Sequence, residues 1–452
     1  MTEIRDEEKA WEKFLTLVSE QDGSAKEDPD LAEILDLLRT HDRRKRGKSH
    51  NLMVMNLLLY VMKGSTWAME VLSSLYRYGW FIEQNSQKSM EMLQKAADHD
   101  DVKAMIEYGD MLAEGTAGCA KDLRGAYVYY AKAAMLVDPH AMYRAGDFFR
   151  DGLYVTEDPS AAYSLYTIAE ELIEEHPDSE EVEEAIHQRL AQCKEMGISG
   201  PAALKPNEKF SPSLIRKAEK GDVDAMVSAA DFIFFTDRSD VDPELMEKGL
   251  RYYQKAIQAG NTHAMVNCGL VYMTGIGVAR NAKKAAQLFH LAGQEGNVIA
   301  AEYLGNVYLY GEDEIPADKE QAYLWYSKAA MLGNAGAYIA CSDMFHYGWF
   351  VHRDYEASFE LLHITLNFLN PRTQPKLLAD TCYRLGKKLE YGVGCVKDLK
   401  QAKECLLAAQ EYYEIAYQSE PRTAYYDHAM RDIEKELEAI AAAPQEEQSE
   451  KK

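Results

Sequence analysis

The residues best suited to chemistry are the twelve histidines and seven cysteines, and their spacing does not favour a reactive site. His346 and His352 flank one turn, but no His-Glu-x-x-His or paired Cys-x-x-Cys motif accompanies them. No glycine-rich phosphate loop follows a strand pattern, and no nucleophile elbow is present. We therefore expect no catalytic residues, no metal and no cofactor.

A different signal is the phrase Tyr-Gly-Trp-Phe, which occurs at Tyr78–Phe81 and again at Tyr347–Phe350. It could mark a doubled active site or a doubled building block. The answer depends on whether the rest of the chain repeats with it.

The chain does repeat, and eight anchor residues align its units. The anchors are Ala68, Ala104, Ala141, Ala225, Ala264, Ala300, Ala337 and Thr381. A small residue stands five positions after each anchor (+5), and a large apolar residue stands at +8. Glycine follows at +11 in seven units, with Thr236 as the exception. This pattern predicts a first helix of about three turns that ends at the glycine.

Each unit also contains the start of a second helix. The predicted N-caps, 17 or 18 positions after the anchor, are Asn85, Asp122, Asp158, Asp242, Asn281, Asp318, Asp354 and Asp398. Pro159 and Pro243 follow two of these caps, at the helical position where proline is tolerated. Both Tyr-Gly-Trp-Phe copies fall at the same turn of this unit, so they mark a building block.

The 84-residue step between Ala141 and Ala225 contains a degenerate unit. Its expected first helix runs from Ala185 to Gly197, and its second is capped by Ser211. The intervening 198–210 is rich in Pro and Gly and is expected to be a loop or hinge. Outside the array, helices are expected at 5–20, 30–46 and 49–63, and at 403–440 with a break near Pro421.

These units resemble the Sel-one-like repeat, a helical-hairpin family related to tetratricopeptide repeats. The phrases that carry the resemblance include residues 104–115, 275–297, 322–334 and 392–410, and it covers roughly 68–411. It implies an all-α, right-handed α-solenoid of about nine helical hairpins, one of them degenerate, with capping helices at both ends. By the same resemblance, the expected function is a protein-binding scaffold or regulatory adaptor.

The resulting division of the chain has six parts. They are an N-terminal helical cap (1–66), a first repeat block (67–177), a degenerate repeat with hinge (178–221), a second repeat block (222–411), C-terminal capping helices (412–440) and a disordered acidic tail (441–452).

A solenoid normally binds its partner with the first helices, which line the concave face. Positions +3, +6 and +10 share one face of these helices and vary most. The predicted partner-binding residues are Glu107, Asp110, Glu114, Arg144, Asp147, Asp151, Asp231, Phe235, Asn267, Tyr303, Asn306, Tyr310, Asp343, Tyr347, Arg384 and Tyr391. They suggest a groove for a polypeptide segment that carries basic and apolar residues. The alternative is that they are ordinary solvated helix positions.

Charge narrows the class of partner. The formal net charge is −24, which disfavours nucleic acid and favours a basic partner. No signal sequence or bilayer-length apolar stretch is found, so we expect a cytoplasmic protein with a protein or peptide partner and no membrane. The basic run 39–48 could contact an acidic partner or act as a targeting signal, but it better fits a helix C-terminus ending at Gly47.

The cysteines bear on one alternative function. Cys268 and Cys341 both stand at +4, a column otherwise apolar, so they are expected to fill the core. β-Lactam binding and hydrolysis have been attributed to a cysteine-rich branch of the resembled family, in which cysteines pair in every unit. Here Cys119, Cys193, Cys382, Cys395 and Cys405 do not recur unit by unit, which disfavours that alternative.

Overall fold

The structure is a computed structural model that describes residues 11, 14–18, 29–40, 48–115, 120–175, 180–200, 211–235, 242–419 and 424–442. In these ranges the regular structure is α-helical, apart from an isolated bridge between Glu312 and Ile315. This confirms the all-α class predicted from the period. The chain consists of two compact units, an N-terminal unit (Met1–Ala133) and a C-terminal unit (Ala134–Lys452).

Within the repeats, the first and second helices of successive hairpins follow one another along the chain. Those that begin in the N-terminal unit are α1 (Pro29–Thr40), α2 (Lys48–Met62), α3 (Thr66–Tyr78), α4 (Ser86–Asp98), α5 (Val102–Glu114) and α6 (Leu123–Met135). Those of the C-terminal unit are α7 (Pro139–Asp151), α8 (Pro159–Glu175), α9 (Glu180–Glu195), α10 (Pro212–Glu219), α11 (Val223–Phe235), α12 (Pro243–Gln258), α13 (Thr262–Thr274), α14 (Ala282–Gln294), α15 (Val298–Tyr310), α16 (Lys319–Met331), α17 (Ala335–Tyr347), α18 (Tyr355–Phe368), α19 (Pro375–Tyr391), α20 (Leu399–Ser419) and α21 (Ala424–Ala442).

Both ends of the hairpin turn behave as the sequence predicts. All eight Asp and Asn residues cap the second helix, as when Asn85 Oδ1 accepts from the Lys88 N–H at 3.0 Å. All seven +11 glycines have positive φ, between 61° and 74°. The first helices α3, α5, α7, α13, α15 and α17, each ended by such a glycine, have 13 residues each.

The first helices carry N-caps that the alignment did not use. Three positions before seven of the anchors, a side-chain oxygen accepts from the anchor's own backbone N–H at 2.8–3.3 Å. These caps are Ser65, Asp101, Asp138, Asp222, Asn261, Asn297 and Asn334. Helix α19 differs, because it begins earlier, at Pro375, and Gln374 makes no side-chain cap bond.

The Tyr-Gly-Trp-Phe repeat has a backbone explanation. At +13, two positions after the helix-ending glycine, the chain is left-handed again, with φ of 61° at Phe81 and 71° at Phe350. Two other units place Gly277 and Gly394 there, as this conformation favours. The aromatic copies accept strain of about 1–2 kcal/mol but gain packing: Phe81 is buried, and the Phe350 ring centroid lies 5.5 Å from that of Tyr323.

The small +5 residues let the two helices of a hairpin approach closely. A Cβ added to Gly109 would lie 2.7 Å from Cε1 of Tyr130, and one on Gly146 would lie 2.5 Å from Cε1 of Tyr166. Real Cβ atoms do not approach this closely, so these positions require glycine. The aromatic ring of the second helix thus packs directly on the backbone of the first.

In the N-terminal unit, the predicted apolar stripe of α1 packs as expected. Leu31, Ile34, Leu35 and Leu38 are buried, and they join one cluster with Trp67 and other residues of α3. They cover the first hairpin, whose core edge would otherwise be exposed. Most of the expected helix at 5–20 lies outside the described residues, as do 41–47 of the basic run.

The degenerate unit contributes its two helices to different neighbours. Helix α9 starts at Glu180, earlier than predicted, and packs on α8. Helix α10 has the predicted Ser211 cap and packs on α11 through Leu214 and Ala218. The expected hinge lies mostly outside the described residues, as do the predicted break near Pro421 and nearly all of the tail.

Residues far apart in sequence meet inside the C-terminal unit. Lys328 of α16 forms an ion pair with Asp158, the N-cap of α8, at 2.5 Å, and donates to Gly293 O at 2.7 Å. The Tyr338 hydroxyl donates to Met135 O at 3.2 Å. The hairpins of this unit therefore wind until distant members touch, which no repeat pattern predicts.

Candidate partner-binding surface

In four hairpins the polar +6 side chain accepts a hydrogen bond from a tyrosine of the second helix. The Tyr166 hydroxyl donates to Asp147 at 2.8 Å, and the Tyr253 hydroxyl donates to Asp231 at 2.5 Å. The same bond joins Tyr130 to Asp110 at 2.5 Å and Tyr326 to Asn306 at 2.9 Å. In the other four hairpins a leucine or phenylalanine takes the place of the tyrosine. The second-helix residue and the +6 residue of these hairpins are Leu93 and Ser74, Phe289 and Leu270, Leu362 and Asp343, and Leu406 and Lys387. In the four hairpins that have the tyrosine, the +6 side chain therefore takes part in a hydrogen bond within the hairpin.

Two predicted contact residues are therefore corrected. Asp147 is 9% exposed and also accepts from Arg189 of α9 at 2.7 Å. Asp231 is 6% exposed and also accepts from Asn267 at 2.7 Å. Because +6 faces the second helix, these carboxylates stabilise the hairpin rather than face a partner. Burial, followed by the neighbouring carboxylate, raises the pKa of Tyr166 and of Tyr253.

The +3 residues mostly link one hairpin to the preceding one. Arg384 donates to Asp343 at 3.3 Å, and Tyr303 stacks on Phe289 with ring centroids 5.2 Å apart. Asn267 reaches Asp231 in the same way, and Glu107 pairs with Arg77. Arg144 instead lies over the ring of Tyr143 of its own helix, at 5.9 Å. Their polarity is largely explained by contacts within the array.

All +10 residues of the predicted set are exposed. Tyr310, Tyr347 and Tyr391 are 72%, 51% and 60% exposed, and Phe235 is 45% exposed. The acidic residues Glu114 and Asp151 at this position are exposed too. Each is the last residue of its first helix, so its side chain lies beyond the packed turns. Because α15 contacts α17 and α17 contacts α19, the three tyrosines stand on neighbouring helices.

A groove of about 410 Å³ lies between α17 and α19, next to this tyrosine row. It brings together four predicted residues with five that the prediction did not select. The lining residues are Asp343, His346, Tyr347, Tyr383, Arg384, Lys387, Lys388, Tyr391 and Val393. We call this feature the α17–α19 groove.

The electrostatics of the groove centre on Lys388, whose residue is 7% exposed. Its Nζ lies 3.2 Å from Nδ1 of His346, and burial lowers the pKa of Lys388 to about 8. Burial and the nearby Lys388 charge lower the pKa of His346. Burial thus disfavours the charged form of both groups, and an anion beside them would favour it.

Helix α21 brings acidic residues to the other side of α19. Glu436 pairs with Lys387 and accepts from the Tyr391 hydroxyl at 3.0 Å, while Tyr383 donates to Asp432. Burial and the facing Glu436 carboxylate raise the pKa of Glu390 to about 7. Helix α21 thus occupies the place that the first helix of another hairpin would take.

The cysteines and histidines form no reactive cluster in the part of the chain that is described. Cys268 and Cys341 are buried, as predicted for core positions, and burial raises the pKa of Cys268 to about 11. The six described cysteines are free thiols, and Cys119 lies outside the described residues. Within the same ranges no group of three or more His, Cys, Asp or Glu side chains is arranged to hold a metal ion. No described helix has both the length and the apolar character needed to cross a membrane.

The predicted partner-binding set omitted Lys388 and His346 because it was drawn from three columns, and His346 was considered only as a metal ligand. Lys388 stands at +7 and His346 at +9 of their units, outside those columns. The sequence did contain a signal for Lys388, because it is the one lysine in a column that is otherwise apolar. The +7 residues of the other units are Leu75, Met111, Phe148, Phe232, Val271, Val307 and Met344. The acidic face of α21 had no such signal, since it lies outside the repeats.

Comparison with known proteins identifies the repeat. The family model described as Sel1 repeat matches eight segments: 68–101, 102–138, 139–172, 225–261, 262–297, 298–334, 335–364 and 379–418. They correspond to the eight units found from the anchors, and the degenerate unit between 172 and 225 is not matched.

The similar curated proteins include two from Schizosaccharomyces pombe (strain 972 / ATCC 24843). Chitin synthase regulatory factor 3 is 27% identical over 272 residues, which is 58% of this chain and 28% of that protein. Chitin synthase regulatory factor 1 is 30% identical over 129 residues, which is 28% of this chain and 26% of that protein. The matched parts therefore span little more than a quarter of each relative.

Two solved structures are also similar. One is a protective antigen of uropathogenic Escherichia coli strains displaying an SLR fold, with 17% identity and a TM-score of 0.31, covering 88% of this chain and 98% of that one. The other is a Sel1 repeat protein from Oxalobacter formigenes, with 17% identity and a TM-score of 0.37, covering 86% and 93%. Since the eight family matches together cover more than half of the residues, the chain belongs to the Sel1 repeat family.

Proposed function

We propose that this protein is a non-catalytic interaction scaffold or regulatory adaptor that holds a segment of another polypeptide along its first helices. The observation that carries the proposal is the row of exposed aromatic residues at +10, on neighbouring helices and beside a groove. Tyrosine supplies a large, rigid contact area at low entropic cost, which suits binding. The regulatory names of the fission-yeast relatives agree with an adaptor.

The proposed partner segment carries apolar residues for the tyrosine row and basic residues for the exposed carboxylates. In the C-terminal unit the row includes Phe235, Tyr310, Tyr347 and Tyr391, and Asp151 is an exposed acid on the same column. The net charge of −24 favours basic partners in general. Glu107 and Glu114 give the N-terminal unit exposed acids of its own.

Site-specific crosslinking tests this proposal. A photoreactive residue at 310, 347 or 391 should capture one discrete protein in cells. The same residue at 291 or 407, two exposed leucine positions on second helices that are 49% and 46% exposed, should not. Equal capture from both rows would contradict the assignment.

The captured protein then supplies a quantitative test. A triple variant, Tyr310→Ser, Tyr347→Ser and Tyr391→Ser, should weaken its binding by at least about tenfold, because exposed aromatic anchors dominate such interfaces. The matched triple variant Leu291→Ser, Leu407→Ser and Ile415→Ser should leave the affinity unchanged. Turnover of a chromogenic β-lactam by the purified protein would contradict the non-catalytic part.

A further inference from the structure

The α17–α19 groove carries a charge opposite to that of the protein. Three cations line it, Arg384, Lys387 and Lys388, together with the carboxylate of Asp343. Arg384 contacts Asp343 and Lys387 pairs with Glu436 of α21, so Lys388 is the lining cation that has no ion pair among the described residues. The whole chain has 74 acidic and 50 basic residues. A local excess of positive charge in such a protein marks a place with its own binding preference.

Lys388 stands apart from the other buried lysines of the described residues. Lys328 has Asp158 at 2.5 Å, and Lys132 has Asp100 at 2.5 Å. Lys388, although 7% exposed, has no carboxylate at ion-pair distance within the described part of the chain, and its nearest polar partner is His346. The Asp343 carboxylate opposes the lowering of the Lys388 pKa, but it does so without an ion-pair contact. Lysines are seldom buried without a paired counter-charge, so an anion placed in the groove would have a partner in Lys388.

The rim of the groove can support an anion at this point. Arg384 reaches Asp343 only through two long contacts of 3.3 Å, and both side chains are about one-third exposed. A guanidinium in that setting can accept a second carboxylate. The rings of Tyr347 and Tyr391 stand exposed on either side, with room for apolar groups next to the anion.

We propose that the α17–α19 groove binds an acidic side chain of the partner polypeptide, with Lys388 and Arg384 holding its carboxylate and Tyr347 and Tyr391 packing its apolar neighbours. The occupant is a polypeptide segment in which Asp or Glu lies next to an aromatic or aliphatic residue. This inference rests on the proposed function and adds an acidic anchor to an otherwise basic and apolar segment. It fixes the register of that segment on the array.

Peptide selection on the full-length protein tests the charge preference. Twelve-residue peptides selected from a random phage-displayed library should carry Asp or Glu beside an apolar residue. A synthetic copy labelled with fluorescein should bind, and replacing its acidic residue with the amide should weaken Kd by at least about tenfold. Lys388→Met and Arg384→Gln in the protein should each weaken it similarly.

A matched control separates the groove from general charge. Lys283→Met removes an exposed lysine of α14 and should leave the peptide affinity unchanged. Lys388→Met replaces a buried ammonium with an apolar side chain of similar length, so the variant should fold. Its circular dichroism and melting temperature verify this before binding is measured.

The remaining outcomes distinguish this inference from the proposed function. Selected peptides without acidic residues, or an unchanged Kd for Lys388→Met, overturn the acidic anchor and leave the scaffold intact. Tighter peptide binding after removal of residues 443–452 overturns it in another way, because the chain's own tail would then be the occupant. Failure to select any peptide, together with no crosslinked partner, contradicts both.

Discussion

At the residue scale, a hydrogen bond between two positions of the hairpin, +6 on the first helix and a tyrosine on the second, explains many of the polar residues of the array. A tyrosine on the second helix occurs where the +6 residue is Asp110, Asp147, Asp231 or Asn306, and its hydroxyl donates to that residue. The other hairpins carry Phe or Leu instead of tyrosine. Because a buried hydroxyl without an acceptor costs free energy, this tyrosine occurs only where the +6 residue can accept. The reverse does not hold, since Asp343 stands opposite Leu362.

This coupling predicts the effect of introducing a hydroxyl where its acceptor is absent. Phe289→Tyr places a phenolic O–H beside Leu270 and should lower the local stability of the α13–α14 hairpin by about 1–3 kcal/mol. Adding Leu270→Asn should recover most of the loss, because the amide can accept the new bond. Amide hydrogen exchange in α14 measures both changes. A double variant no more stable than Phe289→Tyr would contradict the coupling.

At the element scale, each hairpin is defined by signals that act within a few residues of one another. The caps accept N–H groups two or three residues ahead, and the glycines take left-handed φ at the helix ends. The first-helix caps matter as much as those found from the sequence, because both satisfy an otherwise unpaired N–H. Uniform first helices of 13 residues follow from a cap and a glycine at fixed spacing.

Asn261 provides a direct test of the first-helix caps. Its side chain accepts from the Ala264 N–H at 2.9 Å. Asn261→Ala should reduce the stability of α13 by about 1 kcal/mol, whereas Asn261→Asp should be close to neutral, since aspartate caps equally well. Hydrogen exchange of the first-turn amides of α13 reports the difference. Equal losses in the two variants would show that the cap bond is not the cause.

At the scale of the whole molecule, two compact units divide the chain, and the larger one is closed by contacts between distant hairpins. The ion pair of Lys328 and Asp158 is nearly inaccessible, at 6% and 3% side-chain exposure. Lys328 also lies over the ring of Trp325, at 5.3 Å. Burial lowers the pKa of Lys328, while the Asp158 carboxylate opposes that change.

The pair should therefore be sensitive to the loss of one member. Lys328→Met leaves Asp158 buried without its counter-charge and should cost about 3–5 kcal/mol, measured from urea unfolding of the C-terminal unit. Adding Asp158→Asn, which keeps an N-cap on α8, should restore much of the stability. The exposed pair of Lys248 and Glu219 is the control, since Lys248→Met should change stability by less than about 1 kcal/mol. A loss from Lys328→Met no greater than the control would show that the pair does not hold the unit together.

The sequence by itself determined the hairpin period, the all-α class, the eight second-helix caps and the seven helix-ending glycines. Each of these is a local interaction, complete within about one helical turn, so it is legible as a fixed spacing. The sequence did not reveal that Asp147 and Asp231 face inward. An aspartate at +6 looks the same in the sequence whether its side chain accepts from a buried tyrosine or is hydrated.

Only the tertiary structure decided which residues of distant units meet. Lys328 and Asp158 are 170 positions apart, and their approach depends on the small rotation between successive hairpins, added over several of them. Lys388 meets His346 of the preceding hairpin, a contact that depends on how two neighbouring units pack and that no single unit encodes. For the same reason the positive charge of the α17–α19 groove, inside a strongly acidic chain, became visible only when α17 and α19 were placed side by side.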